Sequence, residues 1–146
     1  VPAGVSCAVL HPRMEVHTAT ARQLLGDTVK LGDAIRQWAN VGGLVAALYT
    51  ADLALLSRSL VDVIAEPKRA SLVPGFAAVK QAAVDAGALG CSLSGSGPSI
   101  FALAATLDQA RLVGAAMQRA FAEAGEVPSD LWVCPVGHHG ARVVQP

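Results

Sequence analysis

Gly87-Ala88-Leu89-Gly90-Cys91-Ser92-Leu93-Ser94-Gly95-Ser96-Gly97-Pro98-Ser99-Ile100 decides how this chain is read. Leu89, Cys91 and Leu93 alternate with smaller or polar residues, and Ile100 to Ala105 is a short apolar run, so both read as strands. Ser94 to Ser99, between them, consists of turn-forming residues. Helical periodicity flanks this pair on both sides. Phe76 to Ala86 is a helix closed by Gly87 as a left-handed cap. Thr106 and Gln109 form a capping box for a helix with inner face Leu107, Ala110, Met117 and Phe121, and Gly125 can stop it.

Further out, Val5 to Leu10 is an apolar run ended by His11-Pro12 and reads as a buried strand. Leu131 to Cys134 is a last strand, with Pro135 suiting its end or a sheet edge. Thr18 to Leu25 is helical before the stop at Gly26. Leu31, Ile35, Trp38, Val41, Val45 and Leu48 recur at three to four residues, which predicts an amphipathic helix of roughly 18 residues. Asp52 to Ile64 repeats the pattern, and Pro67 ends it. Trp38 and Met117 lie on these stripes and read as core. The order is strand, helices, two strands, helix, strand. That is an α+β domain over residues 1–146: a split β-α-β antiparallel sheet with helices packed on one face.

Composition narrows the function classes. Hydrophobic residues make up 53% and charged residues 15%, which excludes disorder. Lys+Arg is 11 and Asp+Glu is 11, so the net charge is zero and the chain carries no basic excess for nucleic acid or a membrane surface. Cys7, Cys91 and Cys134 are far apart and odd in number, which argues against a disulfide framework or zinc cluster and suits a reducing cytoplasm. No apolar run is long enough to span a bilayer. The start at Val1 lacks a signal-peptide pattern and an initiator Met, which suits a processed or truncated chain.

Three places carry possible chemistry. Gly95 and Gly97 can hold backbone angles that aim successive N–H groups of Ser94-Gly95-Ser96-Gly97 into one anion-binding concavity; the plain alternative is a hairpin loop. It is not a Walker loop, because no Gly-Lys-Ser/Thr follows and the next element is a strand. Thr18 and Arg22, four apart, share a face at a helix start and suit an anion, or else are a capping Thr and a solvated Arg. Arg69, in Glu66-Pro67-Lys68-Arg69, can grip a carboxylate bidentately, or else pairs locally with Glu66 or Asp62. His138-His139 is a poor two-ligand clamp, because neighbours on an extended chain point to opposite sides; no metal ligand is assigned. No residue is assigned as a catalytic acid or base.

The segment from Gly87 to Ile100 resembles the third motif of the GHMP small-molecule kinases. Two further stretches are similar to the homoserine kinase branch of that family. Thr18-Ala19-Thr20-Ala21-Arg22-Gln23-Leu24-Leu25 resembles its T-x-x-A-R helix start, and Asp62 to Phe76 resembles its D-x-x-x-x-P-x-R-x-x-L-x-P-G-F segment. Gly140-Ala141-Arg142-Val143-Val144 resembles its closing G-A-R-V. The chain departs from the pattern at Gly26, where proline is usual, and at His138-His139, where an Asn-containing turn is common.

The resemblance implies a C-terminal kinase domain of ferredoxin-like topology, with the N-terminal domain that holds ATP and Mg2+ absent from this chain. By resemblance, Arg22 and Arg69 face an amino-acid carboxylate, Thr18 lies near the transferred phosphate, and the Ser94 to Gly97 loop, Gly95 included, lines the active site. The implied reaction moves the γ-phosphoryl of ATP to the side-chain hydroxyl of L-homoserine, a step towards threonine, in the cytoplasm. The partners implied are L-homoserine and the chain's own N-terminal kinase domain, with a homodimer left open. The fragment alone is expected to be inactive. The alternatives are another GHMP small-molecule kinase and a stand-alone ferredoxin-like ligand-binding module.

Overall fold

A computed structural model describes residues 1–124, 127–137 and 143; Gly125, His138-His139 and most of the closing Gly140 to Val144 motif lie outside the described residues. Four strands, β1 (Ser6–Pro12), β2 (Gly90–Leu93), β3 (Ile100–Ala104) and β4 (Ser129–Pro135), form one sheet in the order β2-β3-β1-β4. Every neighbouring pair is antiparallel. The helices are α1 (Thr18–Gln23), α2 (Leu31–Thr50), α3 (Leu53–Ser59), α4 (Glu66–Arg69), α5 (Phe76–Asp85) and α6 (Leu107–Ala124), with a 3-10 turn at Ala70–Leu72.

Strand alternation divides the sheet's two faces. Ala8, Leu10, Cys91, Leu93, Ile100 and Ala102 point to one face, where they pack with Phe76, Val79 and Ala83 of α5 and Val113, Met117 and Phe121 of α6. This is the core. Val9, Phe101 and Trp132 alternate to the other face, where Trp132 is exposed. β1 runs through His11-Pro12 rather than stopping there. The Val136 N–H donates to the Val5 carbonyl at 3.0 Å and the Arg13 N–H to the Pro128 carbonyl at 2.8 Å. That parity puts the Pro12–Ser129 and Ser6–Pro135 pairs at positions where no ladder bond is needed, so the prolines cost nothing.

The caps around the deciding segment follow from its residues. Gly87 has φ +89°, its N–H donates to the Val84 carbonyl, and the Ala88 N–H donates to the Ala83 carbonyl, which together close α5 as a Schellman motif. Thr106 Oγ1 accepts the Gln109 N–H at 3.1 Å. The Gln109 side chain does not return to Thr106; it donates to the Ala86 carbonyl and so ties the start of α6 to the end of α5.

Three expectations change. α3 ends at Ser59 instead of running to Ile64, because Leu60 leaves the helix to lie over Gly90, where a Cβ would come within 2.5 Å of it. The turn after it is held by Asp62, whose carboxylate accepts the N–H groups of Ile64 and Ala65 at 2.8 Å and of Glu66 at 3.1 Å. Pro67 therefore lies in the first turn of α4, where its missing N–H is harmless, rather than ending a helix. Met117 is core as expected, but Trp38 is 67% exposed. No helix among the described residues is long and apolar enough to cross a membrane.

Candidate active site

Arg69 ties together two of the places singled out from the sequence, the α1 helix and the Gly95 loop. This side chain leaves the last residue of α4, whose start is held by the Asp62 turn. Its Nε donates to the Ala21 carbonyl of α1 at 3.2 Å, and its Nη1 donates to the Gly95 carbonyl at 2.9 Å. Ala21 O is among the last four carbonyls of α1, which have no partner within the helix, so the guanidinium satisfies an orphaned acceptor. Lys68, beside it, donates to the Leu25 carbonyl just past the same helix. Two cations therefore sit at the negative end of α1.

Neither local alternative for Arg69 is realised. Asp62 is occupied by backbone N–H groups, and Glu66 pairs with Lys80, its Oε1 accepting from Nζ. Among the described residues neither Arg69 nor Arg22 pairs with a carboxylate. A guanidinium carries five N–H donors, so the two spent on carbonyls leave Arg69 three, enough for a carboxylate across its Nη1–Nη2 end. Thr18 is the first residue of α1 but not its cap; the cap position is His17, which makes no side-chain capping bond. Thr18 and Arg22 are both exposed, one turn apart on the helix that Arg69 grips.

The Ser94 to Ser99 loop joins β2 to β3, so it is a hairpin connection whatever else it does. The Ser94 N–H donates to the Ser99 carbonyl at 2.8 Å and the Gly97 N–H to the Ser94 carbonyl at 3.1 Å. The N–H groups of Gly95 and Ser96 have no acceptor among the described residues. Both glycines need their freedom, since φ is +61° at Gly95 and +82° at Gly97. They differ in surroundings. A Cβ at Gly95 would meet nothing within 4 Å, whereas one at Gly97 would lie 3.2 Å from Val73 Cγ2. Gly97 is packed into the fold, and Gly95 faces open space with two free donors in sequence. That combination suits an anion.

Residues that the sequence reading passed over also build the site. In the sequence Lys68 is only a motif position, and Asp62 is a motif position and a possible ion partner of Arg69. Ser99 Oγ lies 2.8 Å from His11 Nδ1 and fixes the far end of the loop to β1. Asp62 had a legible signal: an aspartate four residues ahead of Glu66-Pro67, where a turn needs an acceptor. Among the described residues no three His, Cys, Asp or Glu side chains cluster to hold a metal ion.

The domain is a split β-α-β sheet with a glycine-bearing hairpin between the edge strand β2 and its neighbour β3. Residues 44–123 match the family described as GHMP kinases C terminal, and the chain belongs to that family. The homoserine kinase of Chlorobium phaeovibrioides is 54% identical over 144 residues, covering 98% of this chain and 45% of that protein. The crystal structure of homoserine kinase from Cytophaga hutchinsonii superposes with a TM-score of 0.90 at 49% identity, covering 93% of this chain and 43% of that one. The mevalonate kinase of L. major, with a TM-score of 0.59 at 18% identity, shares the fold. The chain thus spans about 45% of the length of the curated relatives it matches.

Proposed function

We propose that this chain is the substrate-side half of a homoserine kinase, transferring the γ-phosphoryl of ATP to the side-chain hydroxyl of L-homoserine on the route to threonine. The observation that carries the reading is the convergence on Arg69: one guanidinium ties the Thr18–Arg22 helix to the Gly95 loop, in a chain 54% identical to a homoserine kinase over 98% of its length. Arg69 and Arg22 hold the amino-acid carboxylate, which takes the fork geometry of guanidinium well. The free N–H groups at Gly95 and Ser96 steady a second anionic oxygen. Thr18 stands on the exposed face of α1 towards the phosphate being transferred.

Mg-ATP supplies the phosphoryl group. Arg22, Arg69 and the Gly95 loop fit the anionic parts of substrate and phosphate, and by the family resemblance an N-terminal domain holds Mg-ATP. What these side chains contribute is position and positive charge, the main requirements of a loose phosphoryl-transfer transition state. The half-enzyme works in the cytoplasm and is inactive without its N-terminal partner.

The test is Arg69→Ala in the complete enzyme. Losing a charge-assisted contact to a carboxylate costs about 1.5–3 kcal/mol, or roughly 10- to 150-fold in KM for homoserine, with KM for ATP unchanged. Arg69→Lys recovers only part, because an ammonium lacks the planar fork. Equal losses for both substrates, or no loss, would remove Arg69 from the carboxylate site.

A further inference from the structure

The sheet brings together two cysteines that the sequence keeps near opposite ends. Cys7 of β1 and Cys134 of β4 are Cα partners in the antiparallel register. Partners in a ladder point to the same side of a sheet, and Cys7 alternates with the core residue Ala8, so both thiols lie on the outer face. α5 and α6 cover the opposite face. Cys134 is exposed and Cys7 half-buried, whereas Cys91, the third cysteine, is buried in the core. Register alone makes the pair, and no local spacing marks it.

The ladder also sets its dimensions. The Val136 N–H donates to the Val5 carbonyl at 3.0 Å, which makes Val5 and Val136 a hydrogen-bonded pair. Cys7 and Cys134, two residues further along each strand, are the next pair of that kind. Such partners have Cα atoms about 5.5 Å apart, inside the roughly 4.4–6.8 Å that a disulfide spans. Burial, and then the adjacent Cys134 thiol, push the Cys7 thiol above its ordinary range, so the two sulfurs are near enough to feel each other's charge. Trp132 lies opposite Val9 on the same face, and its ring centroid is 6.3 Å from that of His11. The indole thus leans away from the cysteines and leaves Cys134 open to solvent.

The difference in access assigns the roles. An attacking thiol must meet the reagent, as the exposed Cys134 does; a resolving thiol has only to reach its neighbour, as Cys7 does. Once Cys134 is held in a mixed disulfide it carries no charge. One of the two causes that keep the proton on Cys7 then disappears, and Cys7 is released to react.

We propose that Cys7 and Cys134 are a dithiol modification site, which small disulfides such as glutathione disulfide convert to an intramolecular disulfide. The Cys134 thiolate attacks one sulfur of glutathione disulfide, whose S–S bond breaks with its electron pair leaving on a glutathione thiolate. Cys7 then gives up its proton, and its thiolate attacks the Cys134 sulfur and expels the second glutathione thiolate. Two protein thiols are oxidised, one disulfide is reduced, and the two protons end on the two glutathiones. The new bond ties the edge strand β4 to β1 on an exposed face, where disulfides are readily reduced again. It is a reversible mark, the form in which disulfides occur in a reducing compartment. The inference uses register and exposure alone and is independent of the proposed kinase reaction.

Mass spectrometry of the folded chain in millimolar glutathione disulfide tests it. The wild-type chain loses the mass of two hydrogens and retains no glutathione. Peptide mapping places the bond between Cys7 and Cys134, with Cys91 free. Cys7→Ser instead accumulates one glutathione on Cys134, with a lifetime at least about tenfold that of the wild-type adduct. Cys134→Ser reacts at least about tenfold more slowly than wild type, because its remaining thiols are half-buried or buried. Dithiothreitol restores the starting mass. A wild-type chain that stops at a stable glutathione adduct would overturn the site. So would a Cys7→Ser adduct with the wild-type lifetime, a bond that uses Cys91, or a complete enzyme in which Cys134 stays free under the same oxidant.

Discussion

α6 and α2 are the two long amphipathic helices of the molecule, 18 and 20 residues, and they meet opposite fates. In α6 the apolar stripe Ala110, Val113, Met117, Phe121 is at most 1% exposed and lies under the sheet. Gly114 comes so close that a Cβ would lie 3.1–3.3 Å from Leu131, Val133 and Ala8. In α2 the stripe stands in solvent, with Tyr49 at 89%. Periodicity reports that a face requires covering; it does not say by what. The part of the chain that covers α6 is a sheet four strands wide, whereas among the described residues α2 has α3 and the segment after it on its inner side.

The difference has consequences that can be measured, and the largest is in the core. Phe121→Ala, at a site 1% exposed, costs about 3–5 kcal/mol of stability by urea or thermal unfolding. Trp38→Ala, a deletion of similar size on α2, changes the stability of the dilute chain by no more than about 0.5 kcal/mol. Comparable losses at the two positions would erase the distinction between covered and open stripes.

A smaller effect separates the two glycines of the site loop. Gly97→Ala adds a contact at 3.2 Å from Val73 to the cost of a positive φ and destabilises by about 1–3 kcal/mol. Gly95→Ala pays only the backbone term, about 1 kcal/mol, because its Cβ meets open space. Gly95→Val in the complete enzyme removes activity with the fold intact, since a branched side chain fills the space that the free N–H groups face. A fully active, well-folded Gly95→Val enzyme would return the loop to an ordinary hairpin.

The smallest effect sharpens the contrast between the covered and the open face of the sheet. Burial pushes the Cys91 thiol up to about 12, whereas Cys134 is exposed. At pH 8, 5,5′-dithiobis(2-nitrobenzoate) therefore labels Cys134 promptly and Cys91 only after unfolding. A thiol raised in the folded state stays protonated where the unfolded one ionises. Its contribution to stability is full below the ordinary cysteine range and is lost as pH rises from about 9 towards 12. Prompt labelling of Cys91 in the native chain would place it outside the core.

What was legible in the sequence was whatever local chemistry decides. The four strands, the Gly87 cap and the Thr106 cap depend on residues within a few positions of each other, and local pattern alone marks them in the sequence. What was not legible depended on distant partners. α3 stops at Ser59 because Leu60 is drawn onto Gly90, thirty residues away in the chain. Trp38 looked like core because its period is that of a buried helix. In the site, the motifs were recognisable as motifs, but Arg69 as a tie between α1 and the loop was not. Its partners are the carbonyls of Ala21 and Gly95, and backbone acceptors leave no mark on a sequence.

The central claim is that this chain holds the substrate side of a kinase and lacks the means to run the reaction alone. The most direct test is ATP-dependent phosphorylation of L-homoserine, measured first with the 146-residue chain and then after adding the part of the protein that the homoserine kinase relatives carry beyond the match. The account expects no turnover from the chain by itself and turnover on mixing, abolished when the added chain carries Gly95→Val. Turnover by the chain alone, free of contaminating kinase, would contradict it, as would a mixture that binds homoserine and ATP but never transfers phosphate.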